Sequence, residues 1–88
     1  MDITYDTAKN ESNIEKHGVS LAAAADFEWD EAMTWADDRK NYGEARMSAI
    51  GYIGNRLFCV VYVDRNDVRR IISLRKANSR EVKRYAEA

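Results

Sequence analysis

The sequence contains no proline, one cysteine and one histidine among its 88 residues. A single cysteine excludes a disulfide framework and favours a reducing compartment. One histidine and one cysteine also cannot supply the usual ligand set of a zinc site. We therefore expect no metal and no other cofactor, and we interpret Cys59, which lies in the most apolar stretch, as a buried small hydrophobe and not a nucleophile.

Long apolar segments are missing too. The longest strongly apolar run covers residues 57–63, which is too short to span a membrane and too far from the N-terminus for a signal peptide. The chain also has no glycine-rich phosphate loop and no nucleophile elbow. With 45% hydrophobic and 33% charged residues, residues 1–88 are expected to form a single cytoplasmic domain with one thin core.

The charges are distributed unevenly along the chain. Residues 1–44 carry eleven acidic and four basic side chains, a net charge of −7, whereas residues 45–88 carry four acidic and ten basic side chains, a net charge of +6. Such asymmetry is typical of a surface that binds an anion, most often nucleic acid. The alternative is that acids and bases pair across the fold, and composition alone leaves both open.

Helix signals dominate the first third of the chain. Residues 3–5 can form a short strand, after which Asp6 is a suitable N-cap for a helix that runs to about His17. Gly18 then supplies a left-handed end. Ser20 can cap a second helix over residues 21–28, whose alanines allow close packing.

Strand signals follow. We predict strands over residues 33–36, 45–53, 56–63 and 68–74, a polar loop over residues 37–43, and a two-residue turn at Gly54 and Asn55. Asn78 and Glu81 resemble a capping box, and Val82, Tyr85 and Ala86 form an apolar stripe on a last helix. The predicted fold is α+β, with N-terminal helices and a C-terminal helix packed on an antiparallel sheet of about four strands.

Basic residues are concentrated near the C-terminus, where residues 69–84 hold seven of them against one acid: Arg69, Arg70, Arg75, Lys76, Arg80, Lys83 and Arg84. Strand alternation predicts one side with Arg69, Ile71, Ser73 and Arg75 and another with Val68, Arg70, Ile72 and Leu74. On what we expect to be a neighbouring strand, Arg46 alternates with Ser48, Ile50 and Tyr52. Arginines from adjacent strands can bind a phosphate bidentately. The alternative is that each arginine lies at a strand end and reaches solvent.

Three other side chains could move protons or position a substrate. His17 lies in the last turn of the first helix, where it either caps the helix or acts as a general acid or base. Glu44 is either an orienting partner for Arg46 or a solvated charge. Tyr85 is interpreted as a core tyrosine with a hydrogen-bonded hydroxyl group.

Two blocks of the sequence resemble the BrnT toxin family. The first comprises Asp6, Lys9, Asn13 and the run Lys16-His17-Gly18-Val19-Ser20. The second comprises Glu44, Arg46, Ile50-Gly51, Val60-Val61-Tyr62, Arg65, the run from Arg70 to Arg75, Ala77, Glu81 and Tyr85. The chain departs from the family pattern at Tyr5, where Trp is usual, at Leu74, where Ala is usual, and in the loop over residues 37–43, which lacks a common His.

The resemblance implies a RelE-like ribonuclease fold and the toxin half of a type II toxin–antitoxin pair. Such a toxin cleaves RNA and blocks translation, and a BrnA-like ribbon-helix-helix antitoxin silences it in a complex that represses its own promoter. We expect two copies of each chain in that complex, because the ribbon-helix-helix fold is dimeric.

The mechanism expected from these residues is metal-independent attack of a 2′-hydroxyl on the adjacent phosphate. Arg46, Arg70 and Arg75 would bind the phosphate, His17 or Glu44 would move the proton, and Tyr85 would position the leaving group. The expected RNA-binding residues are Arg69, Lys76, Arg80 and Lys83. The alternative is a non-catalytic module whose basic surface binds an antitoxin or nucleic acid.

Overall fold

The computed structural model describes residues 2–38 and 43–88. Within these residues the chain forms a mixed sheet of five strands in the order β1-β5-β4-β3-β2, with helices on both faces. The elements, in chain order, are β1 (Asp2–Thr4), α1 (Thr7–His17), two 3₁₀ helices (Leu21–Asp26 and Trp29–Glu31), β2 (Met33–Asp37), β3 (Arg46–Ile53), β4 (Arg56–Arg65), β5 (Val68–Lys76) and α2 (Ser79–Ala86). None of the helices described here is long and apolar enough to cross a membrane.

The caps of α1 are those that the sequence predicts. The Asp6 side chain accepts a hydrogen bond from the Lys9 backbone N–H at 3.0 Å, and Gly18 ends the helix with a φ of 72°. The second predicted helix is different, because residues 21–26 form a 3₁₀ helix that stops before Phe27. Phe27 has an extended backbone and is only 4% exposed, so burial of its ring in the core ends the helix early.

The expected four-stranded antiparallel sheet is wrong in one respect. β1 joins the sheet as a fifth strand and runs parallel to β5, with Asp2 opposite Val68 and Thr4 opposite Arg70. Local sequence indicates this strand but not its partner, because β5 lies more than sixty residues further along the chain. The α+β class is confirmed.

A β-bulge changes the predicted alternation along β5. Val61 of β4 lies opposite Ser73, whereas the next residue, Tyr62, lies opposite Ile71, so Ile72 is an extra residue in β5. Because an extra residue reverses the alternation of side chains beyond it, the predicted grouping of Arg69 with Arg75 is wrong.

The core lies on one face of the sheet, beneath α1 and the first 3₁₀ helix. Ile71 and Leu74 both point into this core and are fully buried, although they are three residues apart on a strand. Gly51 lies on the same face, where a Cβ atom would come within 2.7 Å of the Phe27 ring. The remaining buried members are Leu21, Ala24, Ala49, Val60 and Tyr62.

The buried side chain of Asn13 attaches α1 to the outer edge of β5. Its amide nitrogen donates to the Leu74 carbonyl oxygen at 2.7 Å, and its oxygen accepts from the Leu74 N–H at 3.1 Å. Its nitrogen also donates to the Val19 carbonyl at 2.9 Å. Asn13 therefore satisfies the backbone of β5 beyond the point at which β1 ends.

Helix α2 lies across one end of the opposite face. Its predicted capping box is confirmed, since the Asn78 and Glu81 side chains each accept from the other residue's backbone N–H. The predicted apolar stripe is only partly buried, because Val82 is 42% exposed while the Tyr85 ring packs edge-on against Tyr52 with centroids 5.6 Å apart. None of the α2 residues is fully buried, so polar contacts supply much of its attachment.

Candidate functional site

The bulge brings the three predicted phosphate-binding arginines to the sheet face that α2 partly covers. Arg70 pairs with Val63 and Arg75 with Cys59, and these two β4 residues lie on the same side as Val61. Arg46 follows the same alternation as Ser48, which pairs with Val61. We call this surface the arginine face; its members are Arg46, Ser48, Val61, Arg70, Ser73 and Arg75.

The expectation that Arg46 lies on a strand neighbouring that of Arg70 and Arg75 is wrong, because β4 lies between β3 and β5. Met47 of β3 pairs with Tyr62 of β4. Because the two strands are antiparallel, Arg46 lies next to Val63 of β4. Val63 in turn pairs with Arg70 of β5. Neighbouring strands are about 4.8 Å apart, so Arg46 and Arg70 start from backbones separated by roughly 10 Å. Their guanidinium groups can therefore approach one anionic group from two sides.

A cavity of about 210 Å³ lies between this surface and α2. Its walls include Ser48, Val61 and Arg75 from the arginine face, Glu81 from α2 and Asp37 from β2. Asp37 pairs with Arg46 across the β2–β3 ladder and is 7% exposed. The Nε atom of Arg46 is buried, so this end of the arginine face is shielded from solvent.

Arg75 is held by Glu81 of α2. Its Nη1 and Nη2 atoms donate to the two carboxylate oxygens at 2.7 and 2.9 Å, and Glu81 also accepts from the Asn78 backbone N–H at 2.9 Å. The hydrogen bonds from Arg75 are the main reason that the pKa of Glu81 lies below its ordinary value of 4.5. Burial opposes this lowering, and the Asn78 N–H and the Cys59 thiol add to it.

Arg70 has a different environment. It is half-buried, and no side chain within residues 2–38 and 43–88 forms a hydrogen bond or ion pair with its guanidinium. A half-buried guanidinium in this setting can donate two parallel hydrogen bonds to an incoming phosphate. Arg70 therefore differs from Arg75, whose guanidinium binds the Glu81 carboxylate.

Arg69, expected to bind RNA, lies on the core side of the sheet. Its guanidinium donates to Asp64 at 2.7 and 2.9 Å and lies 4.5 Å from the Trp29 ring centroid and 4.3 Å from that of Tyr62. These contacts favour a packing role. The other expected RNA-binding residues, Lys76, Arg80 and Lys83, are exposed.

The three expected proton carriers and positioning residues lie apart from one another. Glu44 binds Arg65 bidentately, with a closest distance of 2.7 Å, and so does not orient Arg46 as one interpretation expected. The Tyr85 hydroxyl donates to the Glu31 carbonyl at 3.0 Å. His17 lines a separate pocket between α1 and β5, together with Ser73 of the arginine face. The polar loop predicted over residues 37–43 lies partly outside the described residues.

Sequence reasoning assigned Glu81 to the capping box and missed its contact with Arg75. The only available signal for this contact was that Arg75, near the end of β5, and Glu81, in α2, lie close together in the sequence. No helix or strand period relates side chains that are six positions apart on different elements.

A sheet face with three arginines from two strands, β3 and β5, is the kind of site that binds a phosphodiester. The comparison with known families agrees, because the model of the family described as the ribonuclease toxin BrnT of type II toxin–antitoxin systems matches residues 5–81. The chain therefore belongs to the BrnT family, and the resemblance predicted from its motifs is confirmed. The match contains the whole arginine face but ends before Tyr85. A search of curated proteins found no significant match.

Proposed function

We propose that this protein is a cytoplasmic toxin with a RelE-like fold over residues 1–88, that it cleaves RNA at the arginine face, and that this cleavage inhibits translation. Family membership supports the ribonuclease activity. The observation that carries the site assignment is the common orientation of Arg46, Arg70 and Arg75, which the bulge at Ile72 makes possible.

The proposed reaction uses a nucleophile from the substrate. The 2′-oxygen forms a bond to the adjacent phosphorus, its proton passes to a base, and the bond from phosphorus to the 5′-oxygen breaks as that oxygen gains a proton. The products carry a 2′,3′-cyclic phosphate and a 5′-hydroxyl. Negative charge grows on the non-bridging oxygens in the transition state, and each well-placed donor contributes about 3 to 4 kcal/mol to stabilising it.

His17 is the proposed proton carrier that shares a pocket with a residue of the arginine face, namely Ser73. Glu44 would have to leave Arg65, and Tyr85 would have to leave the Glu31 carbonyl, before either could act at the arginine face. His17 is therefore the first residue to test as a general acid or base, with Glu44 as the alternative and Tyr85 as the candidate for positioning the leaving group.

The reaction as proposed needs no metal, because the attacking and leaving oxygens are neutralised by proton transfer and the phosphate by arginine. Analysis of the product ends tests this directly. We expect 2′,3′-cyclic phosphate ends in the presence of EDTA, and no cleavage of DNA or of 2′-O-methyl RNA of the same sequence. Cleavage of either substrate, or a reaction that EDTA stops and magnesium restores, would contradict the mechanism.

The proposed partner is a BrnA-like ribbon-helix-helix antitoxin, and the type II family implies an antitoxin of some kind. An exposed cationic surface attracts an acidic segment, so the antitoxin is expected to compete with RNA. The complex would contain two copies of each chain and would contact promoter DNA only through the antitoxin.

The second candidate function is a non-catalytic module that binds an antitoxin or nucleic acid through the same surface. The ion pair between Arg75 and Glu81 favours it, because this pair satisfies one of the three proposed phosphate ligands within the protein. A nuclease assay on the free protein with EDTA present separates the two, since the module would bind RNA without cutting it.

A further inference from the structure

A second cationic site lies next to the arginine face, in the crevice between α1 and the edge of β5. It is a pocket of about 180 Å³ lined by Lys9, Ser12, Lys16 and His17 from α1 and by Ser73 from β5. A water molecule occupies roughly 30 Å³ in the liquid, so the pocket has room for a phosphate group.

Helical spacing explains why these side chains meet. Residues 9, 12, 13 and 16 follow the i, i+3, i+4, i+7 pattern, so they share one side of α1. Asn13 fixes this side against β5 through its two hydrogen bonds to Leu74. The acidic residues Glu11 and Glu15 lie on the other side of the helix by the same spacing.

The few positive charges in the N-terminal part of the chain are concentrated at this pocket. Residues 1–38 contain ten acidic side chains but only two lysines and no arginine, and both lysines line this pocket. Within the part of the chain that the structure describes, neither Lys9 nor Lys16 forms an ion pair with an acidic side chain. Two ammonium groups that share a pocket repel each other, so an anion placed between them would be stabilised by both.

Ser73 connects the two sites. It lines this pocket and also belongs to the arginine face, between Arg70 and Arg75 on β5. On the basis of the proposed function, we infer that this pocket binds a phosphodiester of single-stranded RNA that flanks the scissile phosphate. The RNA backbone then crosses the edge of β5, from the arginine face toward α1.

The test measures equilibrium binding of a single-stranded 2′-O-methyl RNA, which cannot be cleaved by the proposed reaction, over a range of salt concentrations. The main variant is Lys9→Gln/Lys16→Gln, which leaves His17 and the arginine face intact. We expect it to bind about tenfold more weakly at low salt, the size of one lost charge-assisted contact. The slope of the logarithm of the binding constant against the logarithm of the salt concentration should become shallower by about 0.7, the value for one phosphate contact on a single strand.

Two controls separate the pocket from general electrostatics. Lys9→Arg/Lys16→Arg keeps both charges and should retain most of the affinity. Arg56→Gln removes one exposed positive charge at the start of β4 and is compared with the single variant Lys16→Gln. Equal losses in these two single variants would overturn the proposal, because they would indicate a diffuse attraction.

Further outcomes distinguish this proposal from the proposed function. If the wild-type protein binds and cleaves RNA while the double lysine variant binds as tightly as wild type, the pocket proposal fails and the arginine site stands. If the wild-type protein binds no RNA at all, both fail. If the double variant loses affinity for the antitoxin but not for RNA, the pocket is a protein-binding site and the proposal is wrong.

Discussion

Arg70 and Arg75 lie five positions apart on β5 and nevertheless project from the same face of the sheet. A regular strand would place them on opposite faces, because side chains alternate with a period of two. The extra residue Ile72 restores the common orientation, while Ile71 and Leu74 remain in the core on the other side. The bulge thus serves packing and the proposed site together.

The Arg75–Glu81 ion pair predicts a pH dependence of stability. The pKa of Glu81 in the folded protein lies below its ordinary value of 4.5, so the ionised carboxylate stabilises the fold above that value. This contribution is lost as pH falls from about 4.5 through the lower folded pKa. Thermal unfolding of wild-type protein and Glu81→Gln, measured from pH 7 to pH 3, checks it.

We expect Glu81→Gln to be less stable than wild type at pH 7 and the difference to shrink toward pH 3. Glu87→Gln is the matched control, because Glu87 is exposed at the end of α2. A difference that stays constant over this range would show that the carboxylate charge contributes nothing.

Asn13 should be among the most sensitive polar positions for stability. It is 5% exposed and makes three hydrogen bonds to backbone groups of Val19 and Leu74. Replacing it by Ala leaves buried backbone groups without partners, so Asn13→Ala should cost about 2 to 4 kcal/mol in the free energy of unfolding. Urea denaturation measures this cost.

The control for this variant is Glu15→Ala, an exposed change on the same helix that should alter stability by less than about 0.5 kcal/mol. A loss below about 1 kcal/mol for Asn13→Ala would contradict the role of Asn13 at the edge of β5.

The antitoxin is predicted to stabilise this chain and to exclude RNA. Any ligand that binds only the native state raises the melting temperature, by an amount that grows with its concentration relative to Kd. Light scattering on the co-purified complex should give the mass of two toxin and two antitoxin chains. A complex with one copy of each, or antitoxin binding that leaves RNA cleavage unchanged, would defeat this prediction.

Local signals predicted much of the fold. The caps Asp6 and Asn78 and the glycine that ends α1 act through neighbouring backbone groups, so sequence spacing reveals them. The 3₁₀ geometry of residues 21–26 and the parallel pairing of β1 depend on distant partners, Phe27 in the core and Val68 on β5. Sequence reasoning had no access to those contacts.

The site was predictable to a similar degree. Arginines on separate strands could be selected because charge is unusual beside apolar strand positions. Their common face could not be predicted, because the bulge at Ile72 leaves no local signature in the alternation of residues. The pairing of Arg75 with Glu81 and the meeting of Lys9 and Lys16 with Ser73 also require the assembled fold.

The central claim is that the arginine face performs the cleavage. The most direct test is to measure the single-turnover rate of RNA cleavage in EDTA for Arg70→Ala and to compare it with the rate for Arg65→Ala. Arg65 is 55% exposed at the side chain and pairs with Glu44, so it is a matched arginine outside the proposed site. The account predicts a rate about 100-fold below wild type for Arg70→Ala and within about threefold for Arg65→Ala, with both variants folded. Equal losses in the two variants, or an unchanged rate for Arg70→Ala, would contradict it.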